Sequence, residues 1–439
     1  MPTRRQLLLT TAAMGMAGVG ALSGCSREAP AELEEGDVLR MRVWSEAAAS
    51  AYEDSLAEFT ERTGLEVELE VLTWEDYWAQ LPLDIAAESL PDVLWMNTAN
   101  FAQAQAGGHL LEIGEVAKGL ASEWEDVATD LYRLEDGLWG VPQIWEHSIL
   151  VAHEGLVAAA EGDASALSFD PEASSDPLRD LARALTVDGG GLHPGQDGFD
   201  PGGRVTYGFS AHPDRTAVLG PFIAGQGGSW QDEEGTMSFA SEEGIAAVQY
   251  LADLAADHLA PSGTETVGDP ALCRNLFLQG KLGLLQTGTY DLHTLTEEIG
   301  GDFKWGIHPV VAGPEGARPL AHAIAAVGIE PRDEDRTPAV AELLRWLGEA
   351  DGQRPLAENR LGIPAHRDLR KAWVESWSDA GLDLSELEVP KDVAHPETGD
   401  RSAIATGRAL KVIAGVFRGD ATAEEALPEA QQAARDAMS

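Results

Sequence analysis

Cysteine is nearly absent from this chain. There are two among 439 residues, Cys25 and Cys273. With Cys25 read below as the end of an export leader, Cys273 stands alone, no internal disulfide can form, and the core has to hold without covalent cross-links. Cys273 lies between Leu272 and Leu276-Phe277-Leu278 and reads as a small buried hydrophobe. Positive charge is scarce too. Lys and Arg total 30 against 74 Asp and Glu, a net charge of −44, and only Lys118, Lys281, Lys304, Lys371, Lys391 and Lys411 are lysines. That balance excludes nucleic-acid partners, which need a basic footprint. The strong catalytic strings are missing: no G-x-S-x-G, no H-E-x-x-H, no Walker loop ending G-K-[ST], no C-x-x-C. His153-Glu154 lacks a second His at metal-binding spacing, and Asp188, Asp197 and Asp200 miss the EF-hand pattern. No metal or cofactor is expected. Beyond the N-terminus there is no second long hydrophobic run.

What is present begins with the N-terminal leader. Arg4-Arg5 precedes an apolar run from Leu7 to Leu22, which ends in Leu22-Ser23-Gly24-Cys25. The run is shorter than the ~20 residues of a spanning helix and reads as a cleavable export signal. Thr3-Arg4-Arg5-Gln6-Leu7-Leu8 resembles a twin-arginine signal, and Leu-Ser-Gly-Cys resembles the lipobox of prokaryotic lipoproteins. Residues 1–24 are therefore expected to be a signal peptide, with Cys25 lipidated and 25–37 a polar tether holding the protein at the outer side of a membrane. Scattered carboxylates and few lysines fit a salt-loving source. At ~1 M salt the Debye length falls to roughly 3 Å, and the self-repulsion of such a surface becomes tolerable.

About 415 residues remain after the leader, enough for two lobes, and 44% of the chain is apolar. Leu39, Met41 and Val43 alternate with Arg40 and Arg42, predicting a half-buried strand that ends at Trp44. Tyr52, Leu56 and Phe59 predict a helix, and Leu65 to Val71 a second strand. The apolar run Val93-Leu94-Trp95-Met96 predicts a buried parallel strand. This β-α-β-α-β order implies an open α/β sheet with helices on both faces. Residues 186–204 read as a long Gly-rich loop. Ser241 is placed to cap a helix and Thr337-Pro338 to begin another. Short strands are expected at 282–285, 305–307 and 324–329, and a last helix carries Leu427, Ala430, Ala434 and Met438.

Twelve Trp against six Tyr is an unusual ratio. Trp44, Trp74, Trp95, Trp145 and Trp230 fall at predicted strand ends or turns. Ligands of open α/β sheets bind at the carboxyl ends of strands. An indole face there suits the C–H face of a pyranose, and neighbouring Asp, Glu, Asn and Gln suit its hydroxyls.

Several strings occur in a fixed succession: Trp44-Ser45-Glu46, Phe59-Thr60-Glu61-Arg62-Thr63-Gly64, Thr73-Trp74-Glu75-Asp76-Tyr77-Trp78, Leu90-Pro91-Asp92-Val93-Leu94-Trp95-Met96-Asn97, Gly107-Gly108-His109-Leu110-Leu111, Leu138-Trp139-Gly140-Val141-Pro142, Gly227-Gly228-Ser229-Trp230, Phe277-Leu278-Gln279-Gly280-Lys281, Thr287-Gly288-Thr289-Tyr290 and Leu361-Gly362-Ile363-Pro364. In this succession the chain resembles the maltose-binding-like family of extracellular sugar-binding proteins of ATP-driven importers, from Val38 to about Ala437. It departs from the family at Ala152-His153-Glu154, where Tyr-Asn-Lys is usual, and at Tyr290, where Trp is frequent.

The resemblance implies a two-lobed α/β fold of the type II periplasmic-binding class with three hinge crossings, near His147–Val151, His322–Val327 and Glu349–Arg354. Lobe one would be 38–148 plus 324–350, and lobe two 149–323 plus 351–439. It implies ligand contacts from Trp44, Glu46, Asn97 and Glu146 in lobe one, from His212, Asp214, Trp230, Thr289 and Tyr290 in lobe two, and from Trp145 and His322 beside the hinges. The implied function is that of a non-enzymatic, monomeric solute-binding component of an ABC importer. It would capture a sugar or oligosaccharide and deliver it to membrane permease subunits served by a cytoplasmic ATPase. A secreted glycoside hydrolase using two carboxylates is the alternative. A binder of a non-sugar solute is another; a phosphorylated one would call on Arg215 or Arg360.

Overall fold

The computed structural model describes residues 38–438 apart from 135, 233, 332, 333, 386, 388 and 400. The expected signal peptide, Cys25 and the tether to residue 37 lie outside the described residues. The strands are β1 (Leu39–Val43), β2 (Val67–Val71), β3 (Val93–Asn97), the hairpin β4 (Arg133–Leu134) and β5 (Gly137–Leu138), β6 (Val141–His153), β7 (Val187–Asp188), β8 (Arg204–Phe209), β9 (Leu282–Gly288), β10 (Trp305–His308), β11 (Ala321–Gly328) and β12 (Ile363–Pro364). They join in the order β2-β1-β3-β11-β6-β9-β8-β7, with β10 and β12 also paired to β6 and β4–β5 apart.

β6 organises the molecule. It has 13 residues, about twice the usual strand length. Its first half pairs with β11 and β12, from Val141 to His147. Its second half pairs with β9 and β10, from Ser148 to His153. One continuous strand is therefore shared by two α/β bodies. In the first, β1 pairs parallel with β2 and β3, as the β-α-β pattern predicts. In the second, β8 and β9 are parallel.

Several helices begin where the sequence supplies a side-chain acceptor for their free N–H groups or a proline in the first turn. Ser45 caps the helix Glu46–Thr63, and Gly64 closes it at φ 78°. Thr73 caps Trp74–Ala87, Ser241 caps Glu242–Ala256, and Thr337-Pro338 opens Thr337–Gly348. The Gly-rich stretch 186–204 is a loop wound around Asp188, whose carboxylate accepts from the N–H groups of Gly190, Leu192 and Asp200. Those donors, Asp200's first, hold the Asp188 carboxyl below its usual pKa.

Alternate residues of β6 enter different cores. Trp145, Ile149 and Val151 join Tyr52, Phe59, Trp95, Leu343 and Trp373. Leu150 and Ala152 join Phe209, Phe222, Leu251, Ile413 and Leu427. Two features depart from expectation. Arg42, read as the solvent face of β1, is buried and bonded to Glu70 at 2.8 Å and Asp84 at 2.6 Å, because the helix Trp74–Ala87 covers that face. The stretch after 350, expected in lobe two, packs on the first body as far as Leu384. The helix Ala350–Glu358 lies on Glu46–Thr63, Ser55 donates to the Gly352 carbonyl, and Ile363 pairs with Trp145. Glu349–Arg354 is thus inside the first body. The chain rejoins the second body through residues 394–398: Ala394 bonds Pro319 and Ala321, and Thr398 bonds Gln231.

Candidate functional site

The carboxyl ends of β1, β2 and β3 in the first body and of β8 and β9 in the second all open toward the middle of β6. That is where an open α/β sheet presents loops and helix N-termini to a ligand. The helices Thr98–Ala106 and Ser402–Arg418, one from each body, approach one another there.

The first jaw is built on Trp44. Its ring is surrounded by Trp74 at 5.4 Å, Tyr77 at 5.0 Å, Trp78 at 5.6 Å and Trp95 at 5.2 Å. Edge-to-face contacts of this kind suit the aromatic quadrupole. A chain of buried hydrogen bonds fixes the platform. Tyr77 Oη donates to the Trp95 carbonyl, Trp95 Nε1 to Tyr52 Oη, and Tyr52 Oη to Gln143 Oε1. Trp74 is the outer member, 50% exposed. Glu46 is exposed in the first turn of its helix. Asn97 is half-buried, and its Oδ1 caps Thr98–Ala106 by accepting from Asn100.

The middle of the site is a pair on adjacent strands. Glu146 of β6 and His322 of β11 are register partners, with Oε2 and Nε2 2.9 Å apart. Glu146 is 9% exposed, so its carboxylate relies on that partner. The Tyr290 ring lies 5.8 Å from that of His322. Thr289 Oγ1 accepts from the His147 N–H. Asp214 Oδ1 caps the turn Arg215–Leu219 through Ala217. His212 donates Nδ1–H to the Ser210 carbonyl. Burial pulls its imidazole pKa down, but Cys273 and Asp214 outweigh burial and raise it to about 9. Cys273 is 2% exposed, the buried thiol read from the sequence.

The second jaw holds a cavity of about 700 Å³ walled by Arg215, Gly228, Trp230, Glu243, Glu315 and Glu397. Trp230 shows it little more than an edge. Its ring stacks on Phe239 at 4.3 Å, its Nε1 donates to Thr406 Oγ1, and the Arg215 guanidinium sits over it at 4.5 Å. Arg215 pairs with Glu397 at 3.4 Å, and its buried Nε and Nη1 have no hydrogen-bond partner. Burial lowers its pKa.

Of the residues expected at the site, Glu146, His322 and Tyr290 come together at the crossing. Thr289 and Asp214 flank it, and Trp44, Glu46 and Asn97 lie at strand ends of the first jaw. Trp145 does not face the site. Its neighbour Glu146 does, so strand alternation sends the indole to the opposite face, where it is 0% exposed in the first core, next to its strand partner Ile363. Arg360 is also elsewhere, over Trp377 and bonded to Ser376. Trp74, noted at a strand end, and Trp78 belong to the platform, although neither was among the contacts the resemblance implied. Their i, i+4 spacing on one capped helix was the available signal. Nothing in the local sequence flagged Glu397, which meets Arg215 across 182 positions. Among the described residues no group of three or more His, Cys, Asp or Glu is arranged to hold a metal ion.

Residues 44–354 match the family described as bacterial extracellular solute-binding protein. The chain belongs to that family. Among solved structures, UspC of M. tuberculosis is 29% identical with a TM-score of 0.79, over 91% of this chain and 100% of that one. Lmo0181 of Listeria monocytogenes, an ABC substrate-binding protein in complex with cycloalternan, is 16% identical with a TM-score of 0.73, over 92% and 99%. The maltose-bound MalE3 of T. maritima is 16% identical with a TM-score of 0.70, over 91% and 99%. The latter two likenesses are of fold. This solute-binding protein thus shares the two-lobed α/β architecture of that group. No helix among its described residues is long and apolar enough to cross a membrane.

Proposed function

We propose that the protein is the extracytoplasmic receptor of an ABC importer and captures a sugar or oligosaccharide between its two bodies, without covalent chemistry. The observations that carry this reading are the Trp44 platform at the carboxyl end of β1, with Trp74 half exposed, and the Glu146–His322 pair beside Tyr290 where β6 passes between the bodies. An indole ledge beside a partnered carboxylate and a phenol is what a ring with C–H faces and hydroxyl edges requires. Solved relatives of the same fold carry cycloalternan and maltose.

In the proposed mechanism the sugar settles on Trp44 and Trp74, and closure adds contacts from Tyr290, Asp214 and the Arg215 cavity. A shift from 1:99 to 99:1 in favour of the closed form needs about 5.5 kcal/mol of differential affinity. The closed form then docks on the permease, and the cytoplasmic ATPase drives transfer. We place lobe one at about 38–148 plus 319–384 and lobe two at about 149–318 plus 393–438. The crossings are the middle of β6, the start of β11 and the strap 385–398. Residues 1–24 act as a twin-arginine-type signal, Cys25 carries lipid, and the 12 residues 26–37 reach at most roughly 40 Å from the membrane. The protein works as a monomer in a salt-rich medium.

Titration calorimetry against a panel of neutral mono- and oligosaccharides tests the reading. Binding of at least one saccharide, weakened in the Trp74→Ala protein, is expected. If no saccharide gives heat with the wild-type protein, the sugar assignment fails.

A further inference from the structure

Behind the crossing, on the other face of the strand from Glu146, lies a second cavity of about 450 Å³. Sites for small organic molecules span ~300–1,000 Å³. Its walls come from three parts of the chain. His147 and Ile149 belong to β6 itself. Ile307, Pro309 and Val310 belong to the second body, and Pro319 stands just before β11. Leu384, Leu387, Val389 and Pro390 belong to the strap that leaves the first body. Leu384 and Leu387 pack with the core of the first body, and Arg370 ties the strap there by donating to the Leu387 carbonyl.

Apart from its mouth, this cavity is mostly apolar, with His147 and Ser148 as buried polar residues in its wall; the Ser148 hydroxyl is taken up by the Thr216 carbonyl. His147 is 4% exposed. Its Nδ1 lies 2.9 Å from the Ser148 carbonyl, which can only accept, so Nδ1 carries the proton. Nε2 is then a lone-pair acceptor, and it has no partner. Burial, ahead of the nearby Arg370 and His322, lowers the imidazole pKa to about 4 and keeps it neutral. The other wall histidine, His308, is engaged with Glu154 at 3.2 Å. The mouth carries Asp383, Lys391 and Asp392, a net negative rim that disfavours an anion. Three proline rings and an imidazole offer flat surfaces.

We propose that this cavity is a second ligand site, distinct from the cleft, for a ring-sized neutral apolar molecule with one hydroxyl donor, of the phenol class, and that its occupancy is coupled to the position of the two bodies. The coupling follows from the walls. Because they belong to both bodies and to the strand between them, bending at the crossing must change the shape of the cavity. A molecule that fits the shape seen here, with the two jaws approaching, holds the protein in this form. By linkage it changes the affinity of the cleft for its solute by the same factor as the solute changes its own.

The test uses 4-methylphenol and the unmodified protein, with no sugar present. Ligand-observed saturation-transfer NMR is expected to show binding. Val389→Trp, which fills the mouth from a position 37% exposed, is expected to weaken it at least tenfold. His147→Phe, which keeps a ring and removes the acceptor, is expected to weaken it about fivefold, the loss of one hydrogen bond. Small-angle X-ray scattering is expected to give a smaller radius of gyration with 4-methylphenol than without. Absence of saturation transfer, or equal transfer to the Val389→Trp protein, overturns the site. Binding with an unchanged radius of gyration overturns the coupling. Neither readout uses a saccharide, so a failure here is separate from a failure of the sugar assignment.

Discussion

Glu146 and His322 face each other on adjacent antiparallel strands, 2.9 Å apart, at the point where β6 leaves one body for the other. Each strand continues into a different environment beyond this pair, and Tyr290 of the second body stands over the histidine at 5.8 Å. The pair is thus a polar contact on the strand that the two bodies share, close to the point where it passes from one to the other. Glu146→Gln keeps the shape and removes the charge. It is expected to weaken the best saccharide about 10- to 100-fold, as charge-assisted hydrogen bonds contribute ~1.5–3 kcal/mol. Calorimetry on folded protein reads this directly, and unchanged affinity would remove Glu146 from the site.

The tryptophans separate into two classes with opposite readouts. Trp74→Ala removes a half-exposed ring; stability is expected to fall by less than about 1 kcal/mol, while saccharide affinity falls about tenfold. Trp145→Ala empties a fully buried position; it is expected to cost about 3–5 kcal/mol in urea unfolding and to leave the affinity of the folded fraction within about twofold. A reversal of the two patterns would mean that strand parity has been misassigned.

Two buried histidines set opposite limbs of the stability profile. His147 has its pKa lowered to about 4, mainly by burial. As pH falls from about 6.5 toward 4 the unfolded chain takes up a proton that the folded protein refuses. The contribution of His147, about 3 kcal/mol at neutral pH, is lost across that window. His212 is raised to about 9, with Cys273 and Asp214 overcoming burial. Its contribution is complete below about 6.5 and is lost as pH rises to about 9. Melting temperature against pH is expected to lose part of its acid limb in His147→Gln and part of its alkaline limb in His212→Gln.

Arg42 and Asp84 form a buried pair 2.6 Å apart, with side chains 3% and 9% exposed. Asp84 also accepts from Gln80 and Ser89. Asp84→Ala strands part of a buried charge and is expected to destabilise the protein by about 3 kcal/mol. Adding Arg42→Met to it is expected to restore most of that loss in denaturant melts. Equal loss in the single and double variants would show that Glu70 alone satisfies the guanidinium.

The net charge of −44 predicts a salt response. Raising NaCl from about 0.1 to 1 M shortens the Debye length from ~10 to ~3 Å and is expected to raise the unfolding midpoint. A midpoint that falls over this range contradicts adaptation to salt.

Much of the architecture was legible because it is local. The alternation at Leu39-Met41-Val43, the cap at Ser241, the helix start at Thr337-Pro338, and the apolar run after Pro91 each report their own environment within a few residues. The order of motifs then put Trp44, Glu146 and Tyr290 forward as candidates for one opening. The neighbours that decide exposure are not local. Trp230 is closed over by Phe239 and by Thr406, 176 positions away. Arg42 follows the same period as its exposed neighbour Arg40 and is buried only because a later helix brings Asp84 against it.

From its own chemistry the chain determined many of its strand and helix positions, its net charge and the membership that its ordered motifs carry. Tertiary structure alone decided that Trp145 enters a core while its neighbour Glu146 pairs with His322, and that the helix Ala350–Glu358 packs on Glu46–Thr63. Both depend on later segments that reach β6: β12 pairs beside it at Ile144 and Trp145, and His322 of β11 meets Glu146. Periodicity gives the two faces of a strand but not which of them another segment will cover.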